Sequence, residues 1–280
     1  MKTNEFDSEI KYKLYRSVKE ILHPTISKKN ISDYKIIIDE SILPVRVFYP
    51  IKMSDMKKVL IFIHGNGEVT ECTGKYTDIC KLFVKKTGSM LIAIEYEELK
   101  QNYKKMYEEI YNTLDFIYKG LIRNGINEKD ISLIGDSTGC NIITGINYLN
   151  KNIPIKKEIL FYPTLSLEYN DKSSYESVII NKEFNFDLPN KLNKYFNYIS
   201  TKKDLSNELL NPLKVELNEY PATLLIVGKV DCVRDETFIY KDKLSENSKY
   251  IELPFCSHGF LKKMDKDIEK ELFKEVNDFL

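Results

Sequence analysis

The sequence predicts an α/β protein with a mostly parallel central sheet flanked by helices, together with a helical cap. Short apolar runs rich in β-branched residues, such as 59–63 and 222–228, alternate with longer amphipathic segments. This alternation is the pattern of parallel βαβ units, and continuous apolar runs are typical of strands buried on both faces. A polar segment dotted with aromatic residues, Ser166–Asn211, interrupts the alternation and is interpreted as a helical insertion over one end of the sheet.

An amphipathic helix from Phe6 to Leu22 is predicted first, because its apolar residues fall at helical spacing. An antiparallel pair of strands at 34–39 and 45–49 comes next. The further strands are predicted at 59–63, 90–96, 131–135, 158–162, 222–228 and 249–253. Further helices are predicted at about 75–86 and 101–119, from Asp235 to about Ser245, and at 264–279.

Length allows this arrangement as one domain over residues 1–280, with the cap formed by about 1–30 and 166–211. Most aromatic residues of the insertion are expected to form its own small core.

Composition excludes several classes of function. Lysine plus arginine equals aspartate plus glutamate at 42 each, so no net charge favours nucleic acid or an anionic membrane. The chain has no signal-peptide-like apolar start and no run of about 18 apolar residues, which predicts a cytoplasmic protein. The five cysteines include no C-x-x-C pair, so we expect buried free thiols rather than disulfides or a zinc site.

The segment Ile131–Asn141, ISLIGDSTGCN, predicts a strand that turns tightly into a helix with Ser137 at the apex. Glycines at 135 and 139 make room where the two arms of the turn crowd each other. On such a turn the Ser137 hydroxyl projects from the sheet at the positive end of the following helix. A hydroxyl presented in this way suits nucleophilic attack.

Asp231 and His258 each follow a predicted strand, as Ser137 does, so the three side chains are expected on one rim of the sheet. His258 is favoured as the base, because His23 precedes a proline and His64 precedes a glycine-rich loop. Asp231 and Asp235 are both candidates for the acidic partner of the histidine. Asp231 is preferred because it lies closer to the end of the strand at 222–228, whereas Asp235 is expected to open the next helix. The order Ser, Asp, His is the order of an α/β-hydrolase triad.

The sequence also predicts backbone donors that would stabilise the negative charge developing on the carbonyl oxygen under attack. The loop His64-Gly65-Asn66-Gly67 can turn backbone N–H groups inward, and the N–H of Thr138 adds another donor. The alternatives for such a loop are a simple turn or a phosphate cradle. Neither G-x-x-x-x-G-K-[ST] nor G-x-G-x-x-G occurs, which argues against a nucleotide site.

Four ordered motifs resemble those of the hormone-sensitive-lipase-like esterases of the α/β-hydrolase superfamily. HGNG is similar to that family's HGGG, GDSTGCN to GDSAGGN, DCVRDE to DPLRDE, and SHGF to HGF. The resemblance runs from roughly Val45 to Lys262. It implies an α/β-hydrolase fold, a serine carboxylesterase that needs no metal or organic cofactor, a helical cap, and an oxyanion hole formed by Asn66, Gly67 and Thr138.

Three departures bear on the substrate. Asn66 replaces a glycine, Glu68 stands where an apolar residue is common, and YEELKQN (96–102) replaces the family's YRLAPE. The expected substrate is a small-molecule acyl ester. The alternatives are an amide or formamide, as in an arylformamidase or a small peptidase, and a binding protein that keeps the fold without turnover.

Overall fold

The computed structural model describes residues 11–14, 18–22, 33–37, 43–51, 56, 58–65, 76–149, 152–167, 169, 173–181, 183–185 and 187–280. Nine strands in these ranges form a single sheet. The strands are β1 (Lys11–Leu14), β2 (Asp33–Ile37), β3 (Val45–Phe48), β4 (Val59–Ile63), β5 (Met90–Ile94), β6 (Ile131–Asp136), β7 (Lys157–Phe161), β8 (Ala222–Gly228) and β9 (Lys249–Leu253).

The sheet has the order β1-β2-β3-β5-β4-β6-β7-β8-β9. The β2–β3 and β3–β5 pairs are antiparallel, and the other pairs are parallel. The predicted antiparallel opening pair and the mostly parallel sheet are therefore confirmed. Every residue of β4, β5 and β6 is buried, as their continuous apolar character predicts.

Helices cover both faces of the sheet. The chain steps one way from β4 to β5 and the other way from β5 to β6, so right-handed crossovers put α2 (Thr77–Thr87) and α3 (Tyr103–Arg123) on opposite faces. The α4 helix (Thr138–Leu149) packs beside α3, and α8 (Lys266–Phe279) beside α2. The remaining helices are α1 (Val18–Leu22), α5 (Glu176–Ile180), α6 (Leu188–Ile199) and α7 (Arg234–Lys241).

The N-terminal prediction is corrected in part. Residues 11–14 form the edge strand β1, which pairs in parallel with β2, instead of the middle of a helix. The ladder to β2 gives this short segment backbone hydrogen bonds that its helical spacing alone could not predict. Within the described part of the predicted helix, Val18–Leu22 is helical, and Val18 packs on α3 at Gly120. Phe6 lies outside the described residues.

The insertion at 166–211 contains α5 and α6 and two short 3-10 turns, Asp204–Ser206 and Glu208–Leu210, in its described part. Tyr169, Tyr195 and Phe196 are buried together, and the rings of Tyr169 and Phe196 stack with centroids 6.2 Å apart. These aromatics thus form an internal core, as predicted, whereas Phe184 is exposed. The role of this segment and of residues 1–30 as a cap stays a prediction.

None of the helices in the ranges given above combines the length and apolar character needed to span a lipid bilayer.

Glu158 is a fully buried carboxyl in β7, remote in sequence from the predicted site residues. It accepts hydrogen bonds from Asn147 Nδ2 (2.9 Å) and Thr223 Oγ1 (2.8 Å). Burial raises its pKa from 4.5 to about 7, although both hydrogen bonds act in the opposite direction. The folded protein therefore holds this proton over a pH range in which the unfolded chain has released it.

We predict that the free energy of unfolding decreases as the pH rises from about 4.5 to 7, because the unfolded chain releases the Glu158 proton before the folded protein does. Glu158→Gln should remove this part of the pH dependence. A pKa difference of this size corresponds to roughly 3 kcal/mol. Urea unfolding from pH 4.5 to 8 measures it, with Glu252→Gln on the exposed part of β9 as the matched control. Parallel pH profiles for wild type and Glu158→Gln would contradict the prediction.

Candidate active site

Ser137 occupies the single position between β6 and α4, with φ at +51°. Its backbone N–H donates to the Phe161 carbonyl at the end of β7, at 2.9 Å. A serine in the left-handed region is strained, and such strain persists only where the surroundings fix the backbone. The strand and the helix on either side therefore hold the predicted turn in its tight form.

The two motif glycines are required by close packing at this turn. A Cβ atom at residue 139 would lie 2.2 Å from the carbonyl oxygen of Ile63, at the end of β4. A Cβ atom at residue 135 would lie 2.7 Å from Ile143 Cδ1. The first clash involves backbone and cannot be relieved by turning a side chain, so the helix can approach β4 only when residue 139 is glycine.

We predict that Gly139→Ala destabilises the protein by about 3 kcal/mol or more, because α4 must move away from the sheet. Gly125→Ala is the matched control. Gly125 has φ at +90° with nothing within 4 Å of the added Cβ, so that alanine costs only about 1 to 2 kcal/mol of backbone strain. Urea unfolding compares the two. Equal losses of stability would show that the close approach to β4 is unimportant.

Ser137, Asp231 and His258 meet at the carboxyl edge of the sheet. Ser137 Oγ lies 2.8 Å from His258 Nε2, and His258 Nδ1 lies 3.1 Å from each carboxylate oxygen of Asp231. Asp231 is completely buried, and its Oδ1 also accepts the Val233 N–H at 3.1 Å. This chain of contacts orients the imidazole between a hydroxyl and a carboxylate.

The Asp235 carboxylate, the alternative candidate for the acid, has other partners. It lies in the first turn of α7, where its Oδ1 pairs with Arg234 at 3.0 Å. Its Oδ2 accepts the N–H of Ser177 at 2.8 Å, at the start of α5. This carboxylate therefore holds the insertion to α7, and the imidazole contacts Asp231 instead.

Residues 229–233, which we call the acid loop, are tied to the segment before His258. The Lys229 N–H donates to Leu253 O at 2.9 Å, and the Val230 N–H donates to Cys256 O at 3.1 Å. Gly228 permits the contact, since a Cβ atom there would lie 2.1 Å from the Cys256 carbonyl oxygen. The carboxylate and the imidazole are thus held together through their backbones.

Of the residues predicted for the oxyanion hole, Asn66 and Gly67 lie outside the described residues. Thr138 is buried and begins α4 immediately after Ser137. Gly65, which precedes Asn66, donates its N–H to Asp136 Oδ1 at 2.7 Å. The start of the HGNG loop is therefore fixed beside the turn that bears Ser137.

Asp136 is a site residue that the sequence reasoning missed. Besides Gly65, its carboxylate accepts hydrogen bonds from Tyr76 (3.0 Å) and Tyr162 (3.3 Å). Burial raises the pKa of Asp136, while the Gly65 N–H, nearby Lys262 and the Tyr76 hydroxyl favour its charged form. An acidic residue directly before Ser137, in a strand that is otherwise largely apolar, was the available signal.

His64 lies between two aromatic rings. Its ring stacks on Tyr96 at 4.4 Å and on Tyr76 at 5.4 Å, and the Tyr96 hydroxyl donates to the His64 carbonyl at 2.5 Å. Burial lowers the pKa of His64 to about 4, so the ring is neutral near pH 7. This environment suits a residue that anchors the loop, the structural role expected for it.

Tyr162 and Asn185 also contact the site and were not singled out from sequence. Tyr162 has φ at +38°, and its ring lies 4.8 Å from that of His258. Asn185 Oδ1 accepts the backbone N–H of His258 at 3.3 Å. A tyrosine directly before Pro163 at a strand end was a weak signal for the first, and asparagine in a polar insertion gave none for the second.

The cysteines near the triad are buried free thiols. Cys140 and Cys232 are almost inaccessible, and burial raises the pKa of both thiols well above the usual value. A buried thiol that stays protonated is a poor nucleophile, so packing accounts for these residues. Cys256 and Cys80 are also buried and form no disulfide within the described residues, whereas Cys72 lies outside them.

Comparison with known proteins places the whole site within one matched region. The sequence profile of a family described as alpha/beta hydrolase fold matches residues 60–262, which include all four motifs. An arylesterase of Saccharolobus solfataricus is 24% identical over 239 residues, covering 83% of this chain and 77% of that protein. The carboxylesterase NlhH of Mycobacterium tuberculosis is 20% identical over 235 residues, covering 78% and 71%.

Solved structures share this architecture. EstE1, a thermostable carboxylesterase cloned from a metagenomic library, superimposes with a TM-score of 0.76 at 18% identity. The superposition covers 93% of this chain and 92% of that one. At this identity the likeness concerns the fold.

Proposed function

The chain belongs to the α/β-hydrolase fold family, and from that premise we propose that it is a serine carboxylesterase. It would hydrolyse small or medium acyl esters through an acyl-enzyme intermediate. The observation that carries the proposal is the position of His258, whose two ring nitrogens contact Ser137 Oγ at 2.8 Å and the buried Asp231 carboxylate at 3.1 Å. The esterase names of the relatives support it.

In the first half-reaction, His258 Nε2 accepts the Ser137 proton as Oγ attacks the carbonyl carbon of the ester. Asp231 accepts a hydrogen bond from Nδ1–H, which fixes the tautomer and stabilises the imidazolium. His258 then donates the proton to the alcohol oxygen as the C–O bond breaks. The products are the free alcohol and an ester of Ser137.

In the second half-reaction, water replaces the alcohol. His258 Nε2 removes a proton from water as its oxygen attacks the acyl carbon, and then returns the proton to Ser137 Oγ. Each half-reaction places negative charge on the carbonyl oxygen. We assign the stabilisation of that charge to the backbone N–H groups of Asn66, Gly67 and Thr138, following the family motif and the position of Thr138 after the nucleophile.

We extend the proposal to the surroundings of the site. The insertion at 166–211, together with residues 1–30, acts as a cap, supported by the bonds of Ser177 and Asn185 to residues after β8. We infer a cytoplasmic location from the free thiols of the described cysteines. The partner is a small-molecule ester rather than nucleic acid, in line with the balanced charge.

A matched panel of p-nitrophenyl esters and p-nitroanilides, from acetyl to dodecanoyl, tests the reaction. We expect turnover of the shorter esters and much slower turnover of the anilides, and a fluorophosphonate probe should label Ser137. Faster anilide turnover would make the chain an amidase. Failure of both turnover and labelling would indicate a binding protein.

A further inference from the structure

The acid loop, residues 229–233, receives one side-chain hydrogen bond on each of three successive carbonyl oxygens. All three donors come from α5 and the turns that follow it. The bonds are Asn185 Nδ2 to Val230 O at 2.9 Å, Asn181 Nδ2 to Asp231 O at 3.1 Å, and Ser177 Oγ to Cys232 O at 2.8 Å.

Ser177, Asn181 and Asn185, which we call the donor row, lie four residues apart. Ser177 and Asn181 lie one helical turn apart, because the Asn181 N–H donates to the Ser177 carbonyl at 3.2 Å, and Asn185 lies in a turn after α5. All three are buried, and a buried polar group that loses its partner carries the full cost of desolvation. The donor row therefore has a strong preference for one position against the acid loop.

Asn185 also reaches the other loop of the triad. Its Oδ1 accepts the backbone N–H of His258 at 3.3 Å, and its Nδ2 makes a second bond, at 2.6 Å, to the Asn181 carbonyl. One side chain thus joins the backbones that bear the acid and the base. The 2.6 Å bond fixes this side chain against the insertion.

The N–H groups of the acid loop have separate partners. Lys229 and Val230 donate theirs to Leu253 and Cys256, in the strand and loop that lead to His258. The acid loop is therefore held on one side by the histidine segment and on the other by the donor row. A shift of the donor row would alter the placement of the Asp231 carboxylate relative to the imidazole.

We propose that Asn185, supported by Asn181, is a positioning residue that sets the geometry of the His258–Asp231 pair. The inference rests on the proposed esterase function and deepens it. The insertion then takes part in the chemistry through the two loops that it joins, in addition to any contact it makes with substrate.

The test is Asn185→Ala, with Asn190→Ala as the matched control. Asn190 is an exposed asparagine on α6 of the same insertion, bonded to Asp187. Misplacing catalytic groups by a fraction of an ångström costs rate, so we expect kcat for p-nitrophenyl acetate to fall by about 10- to 100-fold while KM changes by less than about threefold. The control should retain wild-type kcat.

A spectroscopic measurement separates positioning from a loss of structure. The Nδ1 proton of His258 reports on its bond to Asp231, and with only three histidines its NMR resonance can be assigned by substitution. We expect this resonance to shift and to exchange faster with solvent in Asn185→Ala, and to remain in place in Asn190→Ala. Asn181→Ala, a milder change, should move the resonance and kcat in the same direction.

Wild-type kcat and an unmoved Nδ1 resonance in a folded Asn185→Ala protein would overturn the inference. A general loss of stability, with KM and kcat affected equally and the resonance unchanged, would also overturn it. If wild type itself neither hydrolyses esters nor reacts with the fluorophosphonate, the proposed function fails. The resonance still decides whether Asn185 positions the pair.

Discussion

Replacing Ser137 with alanine lowers kcat for a p-nitrophenyl ester by about 10⁴- to 10⁶-fold, because no other group can form the acyl-enzyme. The hydroxyl is the only atom group removed, and the residue keeps its place between β6 and α4. Fluorophosphonate labelling should be lost as well, because the probe reacts with the same oxygen. Steady-state kinetics and fluorophosphonate labelling measure the two effects.

Stability distinguishes this loss from misfolding. The Ser137 backbone bonds to Phe161 and Cys140 do not involve the side chain, so urea unfolding of the alanine variant should resemble that of wild type. A folded Ser137→Ala protein that hydrolyses the ester at near wild-type rate would exclude Ser137 as the nucleophile.

The second large effect is expected for Asp231→Asn, which lowers kcat by about 10⁴-fold. An amide has nearly the same size as the carboxylate, but its NH₂ group can donate to His258 Nδ1. That contact favours the tautomer with the proton on Nε2, where the nitrogen cannot accept the Ser137 proton. The loss therefore reflects the protonation pattern of the imidazole rather than a change in packing.

Asp235→Asn is the matched variant, because Asp235 lies on the same segment and was the competing choice for the acid. Its carboxylate binds Ser177 N–H and Arg234, not the imidazole. We expect a loss of less than about tenfold in kcat. A greater loss for Asp235→Asn than for Asp231→Asn would reverse the assignment of the acid.

The sequence allowed the sheet to be predicted because its strands are buried on both faces and read as continuous apolar runs. The predicted order of strands and helices from Val45 to the closing helix is confirmed, with differences of a few residues at the ends. The resemblance to hormone-sensitive-lipase-like esterases is confirmed by the family match over residues 60–262. The strand β1 was missed because its pairing with β2 is a long-range contact.

The sequence also allowed Ser137, Asp231 and His258 to be placed on one edge, because each follows a parallel strand. It could not reveal the groups that orient them. Asp136, at the end of β6, bonds to Gly65, which follows the neighbouring strand β4 but lies 71 residues away in the chain. Asn185 contacts His258 from the insertion, 73 residues away in the chain.

The strand order has a consequence for how activity appears during refolding. Ser137, Asp231 and His258 follow β6, β8 and β9, so the half of the molecule that ends at α4 contains the proposed nucleophile but neither of its proposed partners. An N-terminal intermediate could bury apolar surface and show helical circular dichroism while remaining inert. Regain of ester turnover would then report the docking of the last strand, and should trail the spectroscopic signal.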